Sequence, residues 1–230
     1  MYKRQLYPEA ATKLPRVGYY RAVPVEGVLS LKPDLVLASE QAGPPDALKR
    51  LAGVGVRVVT VSDAPSVDSL KAPIRSVADA LGVAPAGERM VDEVTRELAR
   101  AEALPATQAR ALLLINRTGS PQGAGRDTAA NEVMHLAGLV NVLHDQQGYK
   151  PLSAEAVGAL APDLIVVTQA SLDAGGGMEA FLRLPGIAST QAAAKRRVGV
   201  MDDLLILGMG PRLPLALTQL KKEVADVMAR

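Results

Sequence analysis

The 230-residue sequence contains no cysteine, only two histidines, five tyrosines and a single phenylalanine. The absence of cysteine excludes disulfides, thiolate metal sites and cysteine nucleophiles. The net charge is only +2, acidic and basic residues are interspersed along the chain, and few aromatic side chains are available to stack on bases. Nucleic-acid binding needs a concentrated basic surface, so no nucleic-acid partner is expected.

Long apolar runs are also missing, and no segment has the length needed to span a membrane. The first five residues, Met1 to Gln5, are not a signal peptide, because no apolar stretch follows their basic side chains. Two explanations stay open at this point: the protein is cytoplasmic, or its true N-terminus is missing from the chain. With 48% hydrophobic and 22% charged residues, the composition is that of a folded protein with one large domain or two lobes.

A catalytic constellation is hard to find. His135 falls in a helical pattern over 129–139, which favours a partly buried structural histidine, and His144 falls in a polar loop. Metalloprotease, nucleophile-elbow and Walker motifs are absent. The glycine-rich segment 123–128 lacks the dinucleotide-binding spacing, and we expect Asp127 or Thr128 to cap a helix beginning near Ala129. The sequence therefore predicts a protein that is not an enzyme.

A segment of the sequence occurs twice. Residues 20–39 align without gaps on residues 149–168 at a constant offset of 129. The alignment superposes four identical pairs: Tyr20 on Tyr149, Glu26 on Glu155, Pro33 on Pro162 and Asp34 on Asp163. Such a widely spaced repeat indicates two related lobes rather than a solenoid.

Each copy of the repeat predicts a helix followed by a strand. In the second copy, Ser153 is a suitable N-cap, the helix runs to Leu160, and Pro162 stops it. The apolar run 164–167 then predicts a strand buried on both faces of a parallel sheet. The first copy predicts an equivalent strand at 35–38. A loop of small residues follows each strand, at 39–45 and 169–177, and further strands are predicted at 56–61 and 198–201.

The predicted fold is therefore α/β, with two Rossmann-like lobes of parallel sheets and a ligand cleft between them. A long helix is predicted between the lobes, because Met90, Val91, Val94, Leu98 and Ala101 recur at helical spacing. We expect an N-terminal lobe over 1–84, a connecting helix over 85–104 and a C-terminal lobe over 105–230.

Two segments are candidate binding sites. Tyr19, Tyr20 and Arg21 follow Gly18, and an arginine beside a phenol favours the phenolate, which is a known ligand of ferric haem. The alternative is a pair of packing tyrosines and a surface arginine. In segment 207–212, glycines allow close backbone approach and Arg212 could meet a carboxylate, or the segment is a plain loop before a helix at 215–228.

The sequence resembles the haem-binding periplasmic proteins of bacterial haem ABC importers, a branch of the cobalamin- and siderophore-type binding proteins. The resemblance covers nearly the whole chain, and its motifs are the Gly-Tyr-x-Arg segment at 18–21, the Glu-to-Pro-Asp segment at 26–34, and segments 125–130, 148–153 and 201–212.

The resemblance implies a periplasmic monomer that takes part in iron acquisition by carrying haem to an ABC permease dimer and its ATPase. It implies that Tyr19 ligates the iron and that Arg21 stabilises the phenolate, with Tyr20 beside them. It also implies that Glu26 and Glu155 dock to the permease, one on each lobe. The expected contributors to the haem pocket beyond the tyrosine turn are Arg126, Met209 and Arg212.

The sequence departs from the family pattern in two places. Some members carry a histidine ligand in the loop equivalent to 116–122, which contains none here. Five-coordinate haem, or a weaker sixth ligand from this loop, is therefore expected. Family members also begin with an export signal, a strand and a helix, so the chain is expected to be incomplete at its N-terminus. The alternatives left open are a cobalamin or ferric-siderophore carrier and a cytoplasmic α/β enzyme.

Overall fold

The protein was analysed as a computed structural model that describes residues 7–116 and 121–229. It divides into two compact units: the first extends to Ala64 and includes Lys71–Arg89, and the second comprises Pro65–Leu70 and the chain from Met90 onward. The long helix predicted at 85–104 is present at Ala84–Glu102, and the division between the units falls within it. The domain boundaries expected from the sequence stay a prediction.

The first unit is built around two parallel strands. β1 (Leu35–Ser39) pairs with β2 (Arg57–Val61) in a register that places Leu35 opposite Arg57. A 3-10 turn precedes them, and the helices of this unit are α1 (Val25–Leu29), α2 (Pro45–Gly53), α3 (Lys71–Ala80) and the start of α4 (Ala84–Glu102). Its small core joins α1, α2 and one face of the sheet through Val25, Val28, Ala47 and Leu51.

The prediction that β1 is buried on both faces is wrong. Leu37 is 42% exposed, and Ala38 is the one buried residue of the strand. Side chains alternate between the faces of a strand, and Val36 packs on the α1–α2 core from one face only. Leu37 lies on the opposite face of the strand and is not part of this core.

The second unit contains a six-stranded sheet. Its strands are β3 (Arg110–Ile115), β4 (Gln122–Ala124), β5 (Val140–Asn141), β6 (Tyr149–Pro151), β7 (Leu164–Thr168) and β8 (Val198–Met201). The order is β6-β4-β3-β7-β8, with β5 beside the beginning of β3. Every residue of β7 is buried, as the apolar run predicted.

One edge of this sheet differs from the expected parallel arrangement. β4 runs antiparallel to β3 and to β6, whereas β5, β7 and β8 are parallel to their neighbours. Only residues 116–121 separate β3 from β4, and a parallel crossover needs about a dozen residues or more. The return is therefore antiparallel, and residues 123–124, predicted to lie in a loop, belong to a strand.

Seven further helices are described in the second unit: α5 (Ala129–Leu136), α6 (Ala154–Leu160), α7 (Gln169–Ala174), α8 (Met178–Leu182), α9 (Gln191–Ala194), α10 (Asp203–Ile206) and α11 (Leu213–Met228). Helix α7 occupies most of the segment predicted to be a loop at 169–177, so that prediction is wrong. Helix α11 begins two residues earlier than expected. Within the described residues, no helix combines the length and apolar character required to cross a membrane.

The sequence repeat is present in the backbone. Helices α1 and α6 begin at residues 25 and 154, and β1 and β7 cover 35–39 and 164–168, so both pairs keep the offset of 129. Between helix and strand, Lys32 and Ala161 both adopt a positive φ, 48° and 44°. These two residues are also 129 apart, so each unit uses the same left-handed turn to pass from helix to strand. The predicted structural repeat is confirmed for this segment.

Helix α4 packs into the second unit along the predicted face, since Val91, Val94, Leu98 and Ala101 are all buried. Met90 was expected on the same face but is 45% exposed. The end of the helix is capped by a buried lysine from α11: Lys221 Nζ donates to the carbonyl oxygens of Glu102 and Leu104, at 2.7 and 2.8 Å. The last carbonyls of a helix have no partner within the helix, and a cation there also complements the helix dipole.

Replacing Lys221 with methionine is expected to lower the free energy of unfolding by about 1–3 kcal/mol, because both carbonyls lose a charged donor. Methionine keeps most of the apolar stem in place. Lys222→Met is a matched control, since Lys222 is the next residue of α11 and is exposed; its effect should stay within about 0.5 kcal/mol. Denaturant unfolding of the two variants measures the difference, and equal effects would contradict the capping role.

Candidate functional site

Tyr19 and Tyr20 lie on a tight turn in the first unit. The Ala22 N–H donates to the Tyr19 carbonyl at 2.9 Å, which closes the turn. Gly18, directly before it, has φ +112°, a backbone conformation that residues other than glycine rarely adopt. The turn leaves Tyr19 45% and Tyr20 38% exposed, so both residues are in part accessible to solvent.

This turn is fixed to the loop that follows β1. The Gly43 N–H donates to the Tyr20 carbonyl at 2.9 Å, and the Val23 N–H donates to the Gly43 carbonyl at 2.7 Å. The tyrosine segment is thereby held at the carboxyl end of β1, where parallel α/β sheets place their ligands. The sequence predicted this location for the loop but not the backbone bonds that bring the tyrosines to it.

The side chains of the turn form a short series of contacts. The Tyr19 and Tyr20 rings meet edge to face, with centroids 5.2 Å apart and planes at 75°. The Arg21 guanidinium carbon lies 5.4 Å from the centroid of the Tyr20 ring. Arg21 Nη2 also donates to Gln41 Oε1. Gln41 was not singled out from the sequence, although it lies in the loop predicted to line the ligand site.

The two candidate docking acids occupy equivalent places. Glu26 and Glu155 are the second residues of α1 and α6, and both are exposed. Glu26 Oε1 lies 3.1 Å from Arg50 Nη2. The pKa of the Glu155 carboxyl is lowered, chiefly by a hydrogen bond from its own backbone N–H and then by one from the Ser153 hydroxyl. Glu26 and Glu155 thus occupy the same position at the start of equivalent short helices, one in each unit.

Ser153 is also the predicted N-cap of α6. Its hydroxyl oxygen accepts from the Ala156 N–H at 3.2 Å, and the helix ends at Leu160 as expected. Thr128 is likewise confirmed as the N-cap of α5, because its hydroxyl oxygen accepts from the Asn131 N–H at 3.1 Å.

The three remaining pocket candidates are in the second unit. Arg126 is exposed between β4 and α5, and its backbone bonds to Gln146 and Gly148. Met209 is partly exposed before α11. Arg212 lines a cavity of about 520 Å³ between α4 and the first turns of α11. Arg212 therefore lies beside α4, whereas Arg126 lies in the connection between β4 and α5.

Neither histidine has the surroundings expected of a buried structural residue. His135 was predicted to be partly buried and is exposed, because the buried face of α5 carries Val133 and Met134 instead. His144 is exposed, as expected, with Nε2 3.3 Å from Asp145 Oδ2. The loop in which no histidine ligand was found lies largely outside the described residues, since 117–120 are not part of them.

The fold and the repeat agree with a family match that covers most of the chain. Residues 2–204 match the periplasmic binding protein family. The chain belongs to this family. Its structure is similar to that of the periplasmic heme-binding protein BhuT in complex with two hemes, at 42% identity and a TM-score of 0.92, covering 97% of this chain and 86% of that one. It is also similar to apo RhuT from Roseiflexus sp. RS-1, a periplasmic heme-binding protein, at 40% identity and a TM-score of 0.90, covering 96% and 86%.

Two curated relatives are more distant. The uncharacterized ABC transporter substrate-binding lipoprotein YvrC of Bacillus subtilis is 29% identical over 95% of this chain and 70% of its own length. The vitamin B12-binding protein of Pectobacterium atrosepticum is 25% identical over 96% of this chain and 78% of its own length.

Family membership decides the broad class of the protein. It is a substrate-binding protein of the kind that serves ABC transporters, it acts outside the cytoplasm, and it is not an enzyme. The alternative of a cytoplasmic α/β enzyme is therefore wrong. Its α/β architecture with parallel strands is that of the two-lobed binding proteins.

Proposed function

We propose that this protein binds ferric haem through the phenolate of Tyr19 and delivers it to an ABC permease of the inner membrane. The observation that carries the proposal is the 40–42% identity to two periplasmic heme-binding proteins over nearly the whole chain. The exposed tyrosine turn at the carboxyl end of β1 supplies a chemically suitable ligand. The proposal includes a periplasmic location.

Ferric iron favours an anionic oxygen ligand, and phenolate ligation of haem is known in proteins. A free phenol titrates near pH 10, so a neighbouring cation assists its ionisation at neutral pH. Arg21 is two residues from Tyr19 and has no acidic partner among its described contacts, so its charge is available for this purpose. Tyr20 supports the ligand ring through the edge-to-face contact.

The haem itself needs apolar cover and partners for its propionates. Guanidinium groups bind carboxylates with directed, charge-assisted hydrogen bonds, so Arg126 and Arg212 are the proposed propionate partners. Met209 is proposed to pack against the porphyrin, because a flexible thioether adapts to irregular apolar surfaces.

Delivery is proposed to use Glu26 and Glu155. The repeat places them at equivalent positions in two units, and a permease dimer offers two equivalent surfaces. A monomeric carrier with Glu26 on one unit and Glu155 on the other suits such a partner. Arginines on the permease would then replace the local partners of these carboxylates.

Cobalamin is the second candidate ligand, because vitamin B12-binding proteins are 25–28% identical to this chain. The higher identity to the heme-binding proteins favours haem. Both ligands are large tetrapyrrole-type rings with a central metal, so the fold alone does not separate them.

A titration of the purified protein with haemin and, separately, with cyanocobalamin tests the choice of ligand. We expect haemin to give the charge-transfer bands of a tyrosinate–ferric complex with a Kd of about 1 μM or tighter, and cobalamin to bind at least about a hundredfold more weakly. Metal-free protoporphyrin IX is the control for apolar adsorption and should bind more weakly than haemin. Tighter binding of cobalamin than of haemin would overturn the proposal.

A further inference from the structure

Gln41 links the rigid end of the first sheet to the tyrosine turn. Its side-chain oxygen accepts a hydrogen bond from Arg21 Nη2, and Arg21 in turn lies over the Tyr20 ring. We propose that Gln41 is a positioning residue that fixes the Arg21 guanidinium and, through Tyr20, the orientation of the Tyr19 phenol toward the haem iron. This inference rests on the proposed function and assigns Gln41 a role that acts through Arg21.

Gln41 is itself held by both strands of the sheet. Its backbone N–H donates to Ser39 Oγ at 3.0 Å, at the end of β1. The Ser39 hydroxyl donates to Asp63 Oδ2 at 2.6 Å, and Asp63 follows the end of β2. The position of the Gln41 backbone is therefore determined by two adjacent strand ends, which is the kind of rigid support that an ordered binding group needs.

The contacts continue from Gln41 to the proposed iron ligand. The Arg21 guanidinium carbon is 5.4 Å from the Tyr20 ring centroid, a distance at which a cation is attracted to the ring face. The Tyr20 ring meets the Tyr19 ring at 5.2 Å and 75°, a preferred arrangement for aromatic pairs. Displacing Arg21 therefore removes the support on one side of Tyr20 and loosens the pair.

The neutral amide is the important chemical feature of Gln41. A carboxylate at this position would hold Arg21 as well, but it would place a negative charge beside the guanidinium. The carboxylate next in sequence, Glu40, instead accepts a hydrogen bond from the Ser62 hydroxyl at 3.0 Å. The loop thus presents an uncharged acceptor to Arg21 and engages its acidic side chain elsewhere.

Two variants of Gln41 distinguish the effect of holding Arg21 in place from the effect of an added charge. Gln41→Leu removes the acceptor and leaves the charge of Arg21, whereas Gln41→Glu keeps an acceptor and adds a negative charge. The haemin-loaded proteins are titrated with acid while the tyrosinate charge-transfer band is followed. In Gln41→Glu the phenolate is less favoured, so the proton displaces iron at a higher pH, and the midpoint should rise by about one pH unit. In Gln41→Leu, haem transfer to excess apomyoglobin should be about three to ten times faster.

A coupling experiment tests whether the effect passes through Arg21. In an Arg21→Leu background, Gln41→Leu should cause no further change in band position or transfer rate, because the contact is already lost. Gln219→Leu, the same substitution at an exposed position of α11, should behave like the unaltered protein.

The outcomes distinguish this inference from the proposed function. If the unaltered protein shows no tyrosinate band, both are overturned. If the band is present but the Gln41 variants keep the band position, acid midpoint and transfer rate of the unaltered protein, the role of Gln41 alone is overturned. Additive effects of Gln41→Leu and Arg21→Leu would also overturn it, since they would show that Gln41 acts independently of Arg21.

Discussion

Replacing Tyr19 with phenylalanine is expected to abolish the tyrosinate–ferric charge-transfer band and to weaken haem binding by about a hundredfold or more, which corresponds to about 2.7 kcal/mol. Phenylalanine keeps the ring, so the edge-to-face contact with Tyr20 and the closed turn should survive. The phenol oxygen is the only group removed. A loss of the band can therefore be attributed to the iron ligand rather than to misfolding.

Tyr20→Phe is the matched control, because the same oxygen is removed from the adjacent, similarly exposed ring. It should keep the band and change haem affinity by less than about fivefold. The control is informative because Arg21 lies over the Tyr20 ring, which makes Tyr20 the alternative candidate for the iron ligand. If Tyr20→Phe lost the band while Tyr19→Phe kept it, the ligand would be Tyr20. If both variants kept it, the iron would be bound by neither tyrosine.

The parts of the fold that could be predicted from the sequence are those that depend on local chemistry. Ser153 caps α6 because its hydroxyl reaches a backbone N–H three residues on, and this geometry needs no distant partner. The β7 strand could be predicted because a continuous apolar run suits a central strand. The offset of 129 identified the equivalent strand β1 and the equivalent acids Glu26 and Glu155.

The parts that could not be predicted depend on contacts between distant residues. Lys221 caps a helix whose end lies 117–119 residues earlier in the chain, and no local pattern indicates such a bond. The exposure of Leu37 follows from which face of the sheet is covered, not from the strand sequence. In the site, the tyrosine motif was identified by resemblance. Gln41 was missed because its side chain is joined to Arg21 only by the folded backbone, 20 residues away.

Gly186→Ala is expected to be the most destabilising of the changes considered, with a loss of about 3 kcal/mol or more. A Cβ atom at Gly186 would lie 2.4 Å from the Ala154 carbonyl oxygen and 2.7 Å from its Cα. Both are backbone atoms that no side-chain rotation can move away. The φ of +83° adds a strain of about 1–2 kcal/mol for a residue with a Cβ.

Gly177→Ala separates these two causes. Gly177 has nearly the same φ, +86°, but nothing lies within 4 Å of the position of its Cβ. With φ +86° and ψ −174°, its backbone lies in a region essentially restricted to glycine, so Gly177→Ala should lose only that strain, about 1–3 kcal/mol. Denaturant unfolding of the two variants gives the additional cost of the close approach as their difference. An equal loss of unfolding free energy in the two variants would show that the backbone around Ala154 shifts at little cost.

The close approach of Gly186 to Ala154 also connects stability to the proposed docking residue Glu155. Ala154 is the first residue of α6, and Glu155 follows it in the first turn. If the Gly186 variant folds, the backbone at Gly186, at Ala154 or at both must shift to relieve the clash, and we expect Glu155 to move when Ala154 does. The position of the Glu155 side chain then depends on the conformation of Gly186. The variant should dock to the permease less well even when its haem spectrum is unchanged. A variant that folds with normal docking would show that the start of α6 is held by other contacts, of which the Ser153 cap is the nearest in sequence.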